Sequence, residues 1–466
     1  MTRESHPALV DASARPFWLE AAAAPARAPS LDGDLECDLA IVGGGYTGLW
    51  TALLAKEANP SRSVAVLEAR TCGWAASGRN GGFCASSLTH GLANGMQRYP
   101  DEMDVLERLG RENLDDIEAA VARYGIDCDF RRPGELLVAT EPHQIAWLRE
   151  DAELTRRFGH EVAFLDAAAI RREIDSPTYL AANWHRDRTA LVDPARLAWG
   201  LRQACESLGV QVAEHTPVTR IGRSGTGVRL RTPSGVVRAR YAVLATNAFP
   251  ALVRRLGAYT VPVYDYALTT EPLSAQQLES IGWRDRQGVS DVANQFHYYR
   301  MTADNRILWG GYDAIYHWRS GLRDELDQRP ATFDKLATQF FATFPQLDGL
   351  RFTHAWGGAI DTSTRFFAFQ GTALDGRVAY SLGYTGLGVA ASRFGAALML
   401  DLLDGRDTER TRVRAPQRRP VPFPPEPVRW AGIQLTRRAL ARADERQGHR
   451  GVWLRTLDRI GMGFDT

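Results

Sequence analysis

The segment 38–68 constrains the fold of this chain more than any other part of the sequence. An apolar run at 39–42 predicts a buried strand, and the turn GGGYTG at 43–48 fits the spacing G-x-G-x-x-G. A helical pattern at 49–55 and a second apolar strand at 64–67 follow it. A strand, a glycine turn, a helix and a strand in this order predict a βαβ unit with two parallel strands.

The individual positions of this unit match what a dinucleotide needs. Gly43 permits the tight turn, Gly45 lets the backbone approach a pyrophosphate, and Gly48 lets the helix pack close to the strand. The helix N-terminus offers free N–H donors and a partial positive charge to the phosphates. Glu68 ends the second strand and can accept hydrogen bonds from a ribose diol. The segment therefore predicts a dinucleotide site, and the alternative is an ordinary βαβ turn.

Length and charge exclude several classes of protein. The chain has 466 residues, 44% of them hydrophobic, which is enough for two or more domains. Its formal net charge of +1 gives no general attraction to nucleic acid or to a membrane. Its only lysines are Lys56 and Lys335, so a Schiff-base mechanism has almost no candidate residue. No lysine follows a glycine, which excludes a P-loop.

Cysteine and histidine usage argues against disulfides and metal centres. The five cysteines are scattered without a C-x-x-C pair, and the ten histidines show no H-E-x-x-H spacing. The N-terminal region lacks the apolar core of a secretory signal, and no stretch approaches 18 apolar residues. We therefore expect a cytoplasmic protein with no transmembrane segment, no bound metal and no nucleic-acid partner.

The pattern of a strand, a glycine turn and a helix recurs near the end of the chain. A strand at 378–382 is followed by GYTGLG at 383–388 and by a helical run to residue 403. One sheet built from such distant segments would leave the intervening chain to form a second domain. We place a nucleotide-binding domain at 36–100, 185–262 and 355–410, and a second domain at 101–184 and 263–354. Residues 1–35 form a lead-in.

The C-terminal extension, residues 411–466, is basic. It contains twelve arginines and five acidic residues, with apolar side chains among them. Such a segment can bind a membrane or an anionic partner. We expect it instead to pack on the protein's own surface or on a second copy, so a homodimer is possible.

Three further features distinguish a flavin from other dinucleotides. The small-residue loop GWAASGRNGG at 73–82 would let backbone N–H groups reach a flavin edge, and its alternative is a flexible surface loop. Thr246 and Asn247 end a late strand. The GYTGLG turn would aim a helix N-terminus at the ligand, where it could stabilise negative charge on a reduced flavin. By itself that turn can also be an ordinary connection between a strand and a helix, with no ligand.

These motifs carry a resemblance to a known family. The strings IVGGGYTGLWTA, GWAASGRNGGF, VLATNAF and GYTGLGVAASRFGA, with Trp-Gly-Gly at 356–358, resemble the D-amino-acid oxidase superfamily of FAD-dependent oxidoreductases. Within it the chain looks closest to the gamma-glutamylputrescine oxidoreductase-like group. The resemblance covers about residues 36–405. It implies an α/β fold in which a Rossmann-like FAD-binding domain with a mixed sheet is interleaved with an α+β substrate domain built on an antiparallel sheet.

The resemblance also implies the cofactor contacts. No cysteine follows Cys205, so we expect noncovalent FAD. The residues expected at FAD are Gly43, Gly45, Tyr46, Thr47, Gly48, Glu68, Ala69, Arg70, Ala76, Ser77, Arg79, Asn80, Gly81, Gly82, Val218, Thr246, Asn247, Gly383, Thr385, Gly386, Leu387 and Gly388.

The implied reaction is oxidation of a C–N bond in a primary or secondary amine. Hydride transfer to flavin gives an imine, which water hydrolyses to an aldehyde or ketone. Family members often carry an Arg-Pro pair where this chain has Ile360 and Asp361, which weakens a simple α-amino acid as substrate. No lysine lies where sarcosine oxidases use one to promote reaction with oxygen, so oxygen or another electron acceptor stays open. An alternative is an amino-acid or aminophosphonate dehydrogenase with a non-oxygen acceptor.

The aromatic segment 296–300 is the leading candidate for the substrate face. Aromatic walls can desolvate an amine, and cation–π attraction can capture it. His297 and Tyr298 are the candidates there, although a packed strand with one aromatic face explains the pattern equally well. Arg365 is a candidate for an acidic group on the substrate, or for a surface salt bridge. Tyr384, beside the GYTGLG turn, is a candidate gate.

Overall fold

A computed structural model describes residues 6–462, except for the side chain of Tyr312. The strands are β1 Leu35–Val42, β2 Val64–Leu67, β3 Phe83–Ala85, β4 Glu135–Ala139, β5 Val162–Asp166, β6 Ala181–His185, β7 Thr189–Leu191, β8 Gln211–Ala213, β9 Arg220–Ser224, β10 Gly227–Arg231, β11 Val236–Leu244, β12 Thr260–Thr270, β13 Gly288–Asp291, β14 His297–Met301, β15 Ile307–Ile315, β16 Phe352–Ser363, β17 Phe369–Ala373 and β18 Val378–Leu382.

Helices of very different lengths separate these strands. They are α1 Phe17–Ala21, α2 Tyr46–Ala58, α3 Leu92–Arg98, α4 Met103–Arg123, α5 Gln144–Arg157, α6 Ala167–Glu173, α7 Pro194–Ser207, α8 Ala275–Ile281, α9 Pro330–Thr343, α10 Gly388–Asp404, α11 Glu409–Arg412, α12 Val428–Glu445 and α13 Val452–Arg459. No helix within residues 6–462 is long and apolar enough to cross a membrane.

The first sheet is mixed and carries both glycine turns. Its order is β17-β18-β11-β1-β2-β8, with β10 and β9 continuing antiparallel from β11. The strands from β18 to β8 run parallel, which brings the carboxyl ends of β1, β2 and β18 to one edge. In β1, Leu39 and Ile41 face one hydrophobic core with α2, while Ala40 and Val42 face another. Because strand side chains alternate between faces, both faces of this strand are buried.

The second sheet has the order β16-β12-β15-β14-β13-β4-β6-β5. All its pairs are antiparallel except β13 with β4, which run parallel. An aromatic core fills the face under α9, where Tyr299, Trp309, Phe340 and Phe344 lie within ring-contact distance of one another. A mixed nucleotide-binding sheet beside a largely antiparallel sheet confirms the predicted fold class.

The two sheets draw on alternating segments of the chain. The predicted boundaries at 262 and 355 fall inside β12 and β16, which both belong to the second sheet. Helix α4 begins a segment assigned to the substrate domain, yet its Leu114 and Ile117 pack in the core around α2. The helix therefore covers the nucleotide-binding sheet.

The C-terminal extension lies against the second sheet and its neighbours. Phe423 and Ile433 pack on the apolar cluster that contains Val261 and Tyr316. Farther along, α12 and α13 pack together through Leu440, Ala443 and Leu454. The extension therefore buries apolar surface on its own chain.

Candidate active site

The first glycine turn leaves a channel beside the edge of the first sheet. Gly43 has a φ of +110°, and a Cβ there would clash with the carbonyl oxygen of Ala245 in the neighbouring strand connection. Gly45 starts α2 in an extended conformation, and a Cβ there would lie 2.9 Å from the Ser77 hydroxyl. The turn therefore keeps backbone, and no side chain, at the mouth of α2, as the phosphate of a dinucleotide requires.

Glu68 links this turn to the second strand. Its carboxylate accepts the Gly44 N–H at 2.6 Å, the Arg70 N–H at 2.8 Å and the Trp74 indole N–H at 2.9 Å. Burial raises the pKa of the Glu68 carboxyl, and the backbone hydrogen bonds oppose that shift. A carboxylate has about four acceptor positions, so capacity remains for the ribose hydroxyl predicted from the sequence.

The glycine-rich loop 73–82 is held in place rather than flexible. Ser77 accepts the Tyr46 N–H at 3.0 Å, and the Asn80 side chain bonds to Ala76 O and the Gly82 N–H. Trp356 of β16 donates its indole N–H to the Arg79 carbonyl at 3.0 Å. These bonds tie the loop both to the start of α2 and to the second sheet.

The two glycine turns converge, although about 340 residues separate them. The Thr47 hydroxyl donates to the Tyr384 hydroxyl at 2.9 Å, and Tyr384 also bonds to Ser381 at 2.6 Å. Asp361 of β16 accepts the Gly383 N–H at 2.5 Å and the Tyr384 N–H at 3.2 Å. The carboxylate of Asp361 therefore holds the second turn.

A cavity of about 910 Å³ runs between the two sheets. This volume lies at the upper end of the range for small-molecule and cofactor sites, about 300–1,000 Å³. Every residue expected at FAD lines it except Gly48, Gly82 and Gly383. Gly48 packs α2 on the carbonyl of Gly43, while Gly82 and Gly383 hold their turns through their N–H groups. The glycine cradle, the acid at the end of β2 and the helix N-termini fit FAD.

Two of the four catalytic candidates line the cavity. Tyr298 faces it from β14, and Tyr384 faces it from the second turn. Tyr384 is 6% exposed and bridges the two turns, so its contacts are those of a fixed element rather than of a gate.

The other two candidates lie elsewhere, which corrects the expectation for His297 and Arg365. His297 points to the opposite face of β14, where its ring bonds to Asp291 at 2.6 Å and to Gln339 at 2.9 Å. Arg365 is buried over the ring of Phe367 and donates to the Ala368 carbonyl at 2.8 Å. Neither side chain lines the cavity, because strand alternation turns His297 away and the 363–367 turn directs the Arg365 guanidinium to the Tyr99 hydroxyl at the end of α3.

Acidic side chains dominate the wall that the second sheet and α5 contribute. Asp265, Glu135 and Asp291 line it from the sheet and Asp151 lines it from α5, with Arg188 and His185 beside them. Burial raises the pKa of Asp265 to about 7, although the Tyr298 hydroxyl donates to its carboxylate at 2.5 Å.

The far end of this wall is polar and lies four strands from β12. The two oxygens of Glu135 accept hydrogen bonds from Ser290 at 2.8 Å and from Thr189 at 2.9 Å. The side chain of Arg188 lies 3.3 Å from the buried Glu107. Asp151 lies 3.0 Å from His185, while both oxygens of Glu135 accept from hydroxyl groups, so the far end presents both acidic and basic side chains.

The C-terminal extension holds one rim of the cavity. Residues 292–294 and Phe296 line it between β13 and β14. Asp444, near the end of α12, accepts the backbone and side-chain N–H groups of Asn294 at 2.9 and 2.6 Å, and the Gln295 N–H at 3.1 Å. One carboxylate therefore fixes the backbone of this loop.

Sequence reasoning missed the acidic wall. Asp265 stands between Tyr264 and Tyr266 in an otherwise apolar run, and this lone charge was the available signal. Glu135 and Asp444 offered no comparable signal, because only the tertiary fold brings them to the cavity.

Comparisons with known proteins agree with this geometry. Residues 38–402 match the family DAO, FAD dependent oxidoreductase. The chain is 37% identical over 392 residues to gamma-glutamylputrescine oxidoreductase of Escherichia coli strain K12, over 82% of this chain and 86% of the relative. It is 26% identical over 377 residues to the probable oxidoreductase OrdL of Haemophilus influenzae, over 79% and 83%. The structure of glycine oxidase from Geobacillus kaustophilus aligns with a TM-score of 0.66 at 20% identity, over 80% of this chain and 96% of that one.

These matches confirm the family resemblance inferred from the glycine motifs and the expectation of FAD. The family match covers most of the chain, and relatives of known name act on amines or amino acids. The chain therefore belongs to the DAO family of FAD-dependent oxidoreductases, and it is an enzyme with FAD as its cofactor.

Proposed function

We propose that the enzyme oxidises the C–N bond of an amine to an imine, which water hydrolyses to an aldehyde or ketone. FAD supplies the two-electron acceptor for the hydride that leaves the amine carbon. The observation that carries the proposal is the acidic wall that faces the flavin-binding turns across one cavity. Carboxylates attract a cationic amine, whereas a simple α-amino acid would need a cation for its carboxylate.

Side chains of the second sheet and its loops exclude water from the amine and orient it. Phe296, Tyr298 and Trp356 give the cavity an aromatic, water-poor surface beside the loop 73–82. Removal of water lowers the pKa of an alkylammonium group and so favours the neutral amine, whose lone pair the oxidation needs. The wall also fixes the carbon in place, which contributes to the rate through orientation.

We further propose that the substrate is elongated, with a second polar group at the far end. The Escherichia coli relative is named for gamma-glutamylputrescine, which carries an amine at one end and an α-amino acid at the other. Glu135 suits the α-ammonium group, and Arg188, whose Nε has no hydrogen-bond partner within residues 6–462, suits the α-carboxylate. This assignment explains why the polar wall continues four strands beyond Asp265.

An anaerobic experiment tests the proposal. The purified yellow enzyme is mixed without oxygen with gamma-glutamylputrescine, putrescine, butylamine, glycine and sarcosine. We expect the first compound to remove the visible flavin absorbance fastest and butylamine to act much more slowly, because it lacks the distal group. Reduction by NADPH, with no reduction by any amine, would contradict the proposal.

The placement of the lysines supports a second candidate function, in which the electron acceptor is not oxygen. Among the described residues, no lysine lines the cavity, and Lys56 and Lys335 are held by the Pro60 carbonyl and by Asp313. The alternative function is a dehydrogenase, for an amino acid or an aminophosphonate, that passes electrons to an acceptor other than oxygen. Admission of air to the reduced enzyme separates the cases, since an oxidase regains its absorbance quickly and a dehydrogenase does so only with a quinone dye.

The loop held by Asp444 gives a further prediction. Asp444→Ala removes three hydrogen bonds from a loop that lines the cavity, and hydrogen bonds to charged groups contribute about 1.5–3 kcal/mol each. If the free energy of substrate binding weakens by about half the contribution of one such bond, KM rises about threefold to tenfold, and kcat stays nearly unchanged.

Steady-state kinetics with the best amine measure this effect. Asp407→Ala is the matched control, because Asp407 is exposed and pairs only with Arg412 on the surface. Equal KM values for the two variants would remove Asp444 from any role at the substrate.

A further inference from the structure

Asp265 is a carboxylate at the cavity wall with one oxygen that lacks a protein partner. Its Oδ2 accepts the Tyr298 hydroxyl at 2.5 Å, while its Oδ1 is buried and has no hydrogen-bond partner within residues 6–462. Asp265 lines the cavity. Buried polar atoms are almost always paired in folded proteins, so an unpaired carboxylate oxygen beside a cavity points to a donor supplied by a ligand.

The fold places this carboxylate beside the loop that is proposed to meet the flavin. In the β12–β16 pair, Asp265 lies opposite Gly358, and the Arg79 side chain contacts that glycine. The Tyr298 ring lies against Gly81, where an added Cβ would be 2.7 Å from a ring carbon. Asp265 and Tyr298 therefore stand next to residues 79–81, at the end of the wall closest to the two glycine turns.

The charges around Asp265 are already balanced by other partners. Arg79 pairs with Asp327, and His297 pairs with Asp291. Asp313 of β15 pairs with Lys335. Tyr298 is neutral, because burial raises the pKa of its hydroxyl well above the ordinary value. Within residues 6–462, no neighbouring cation is therefore free to neutralise Asp265, and a cationic ligand would supply that charge.

We propose that Asp265 is a catalytic residue that binds the ammonium group of the substrate and accepts its proton, while Tyr298 positions the carboxylate. The inference rests on the proposed amine oxidation and deepens it. In the first step an N–H bond of the ammonium breaks and an O–H bond forms at Oδ1 of Asp265. The nitrogen then has the lone pair that the C=N bond requires, and FAD, when bound, would supply the acceptor for the hydride of the neighbouring carbon. The charge and the proton are conserved, with Asp265 left neutral.

This role predicts a distinct pH dependence for binding. Burial raises the pKa of Asp265 to about 7, so the carboxylate is mostly neutral below that pH and mostly ionised above it. An alkylammonium group stays charged up to about pH 10. The affinity for the cation therefore rises as the pH increases through about 7, by about tenfold from pH 6 to pH 8.

The test uses binding rather than turnover. The probe is gamma-glutamylputrescine with two methyl groups on the reacting carbon, which has no hydrogen to lose. Calorimetry on the FAD-loaded enzyme measures its dissociation constant from about pH 6 to about pH 9. We expect Asp265→Asn to bind at least about tenfold more weakly at pH 8 and to lose the rise in affinity between pH 6 and 8.

Tyr298→Phe gives a second measurement, the pH at the midpoint of the binding curve. This midpoint would not change if Tyr298 had only a structural role. The Tyr298 hydroxyl stabilises the ionised carboxylate, so its removal raises the pKa of Asp265 and shifts the midpoint of the binding curve to higher pH. Asp304→Asn, at an exposed position in the β14–β15 turn, is the matched control and keeps the wild-type curve.

Two outcomes overturn the inference. One is an Asp265→Asn enzyme that keeps both the affinity and the pH dependence of the wild type, and the other is a wild-type enzyme that does not bind the probe. The amine panel described above decides the proposed function separately. If an amine reduces the flavin and Asp265→Asn still shows the wild-type curve, only the role of Asp265 fails.

Discussion

Gly45→Val is expected to give a folded protein that does not retain FAD. The backbone of Gly45 has a φ of −84°, which valine adopts without strain, so the substitution acts through space alone. A Cβ at this position already lies 2.9 Å from the Ser77 hydroxyl, and the two methyl groups of valine extend from it into the channel. They would occupy the place of a pyrophosphate at the start of α2. We expect the FAD content to fall at least about tenfold.

The ratio of flavin absorbance to protein absorbance in the purified enzyme measures this loss. Circular dichroism checks the fold, and a lower melting temperature is expected, because a bound cofactor stabilises the native state. Gly222→Val is the matched control, since nothing lies within 4 Å of an added Cβ in the outer strand β9. Full FAD content in Gly45→Val would refute the assignment of this turn to the pyrophosphate.

Asp361→Ala is expected to release the second glycine turn. Asp361 is 1% exposed, and its carboxylate accepts the N–H groups of Gly383 and Tyr384. Each buried N–H left without a partner costs about 1–3 kcal/mol, so the free energy of unfolding should fall by about 2–6 kcal/mol. The turn then loses its fixed place beside Thr47, and FAD binding weakens with it.

Denaturant unfolding together with FAD titration of the apoprotein measures both effects. Asp361→Asn keeps one acceptor oxygen and is expected to lose about half as much stability. Asp127→Ala, at an exposed position that pairs with Arg196 on the surface, is expected to change stability by less than about 0.5 kcal/mol. If Asp361→Ala matches Asp127→Ala in both measurements, the turn is held by other contacts.

The sequence predicts the nucleotide-binding turns well because their signals are local. The strand predicted at 64–67 coincides with β2, while β1 and α2 begin earlier than the apolar patterns at 39–42 and 49–55. Strand ends and helix starts depend on capping and pairing, which apolar periodicity does not report. The convergence of the two turns was also predictable, since parallel strands of one sheet end at the same edge.

The substrate side was less predictable because it depends on register. The segment 296–300 alternates between two faces, but the sequence does not say which face meets the cavity. The structure turns Tyr298 toward it and His297 away. Arg365 lies in a turn, where no periodicity exists to direct its side chain.

The attachment of Asp444 to the loop 292–296 has a consequence for how such enzymes diversify. Helix α12 lies outside residues 38–402, the region shared with the FAD-dependent family, yet it supports a rim of the cavity. Swapping the last forty or so residues between related enzymes should therefore retune which amines are accepted while the nucleotide-binding half stays untouched.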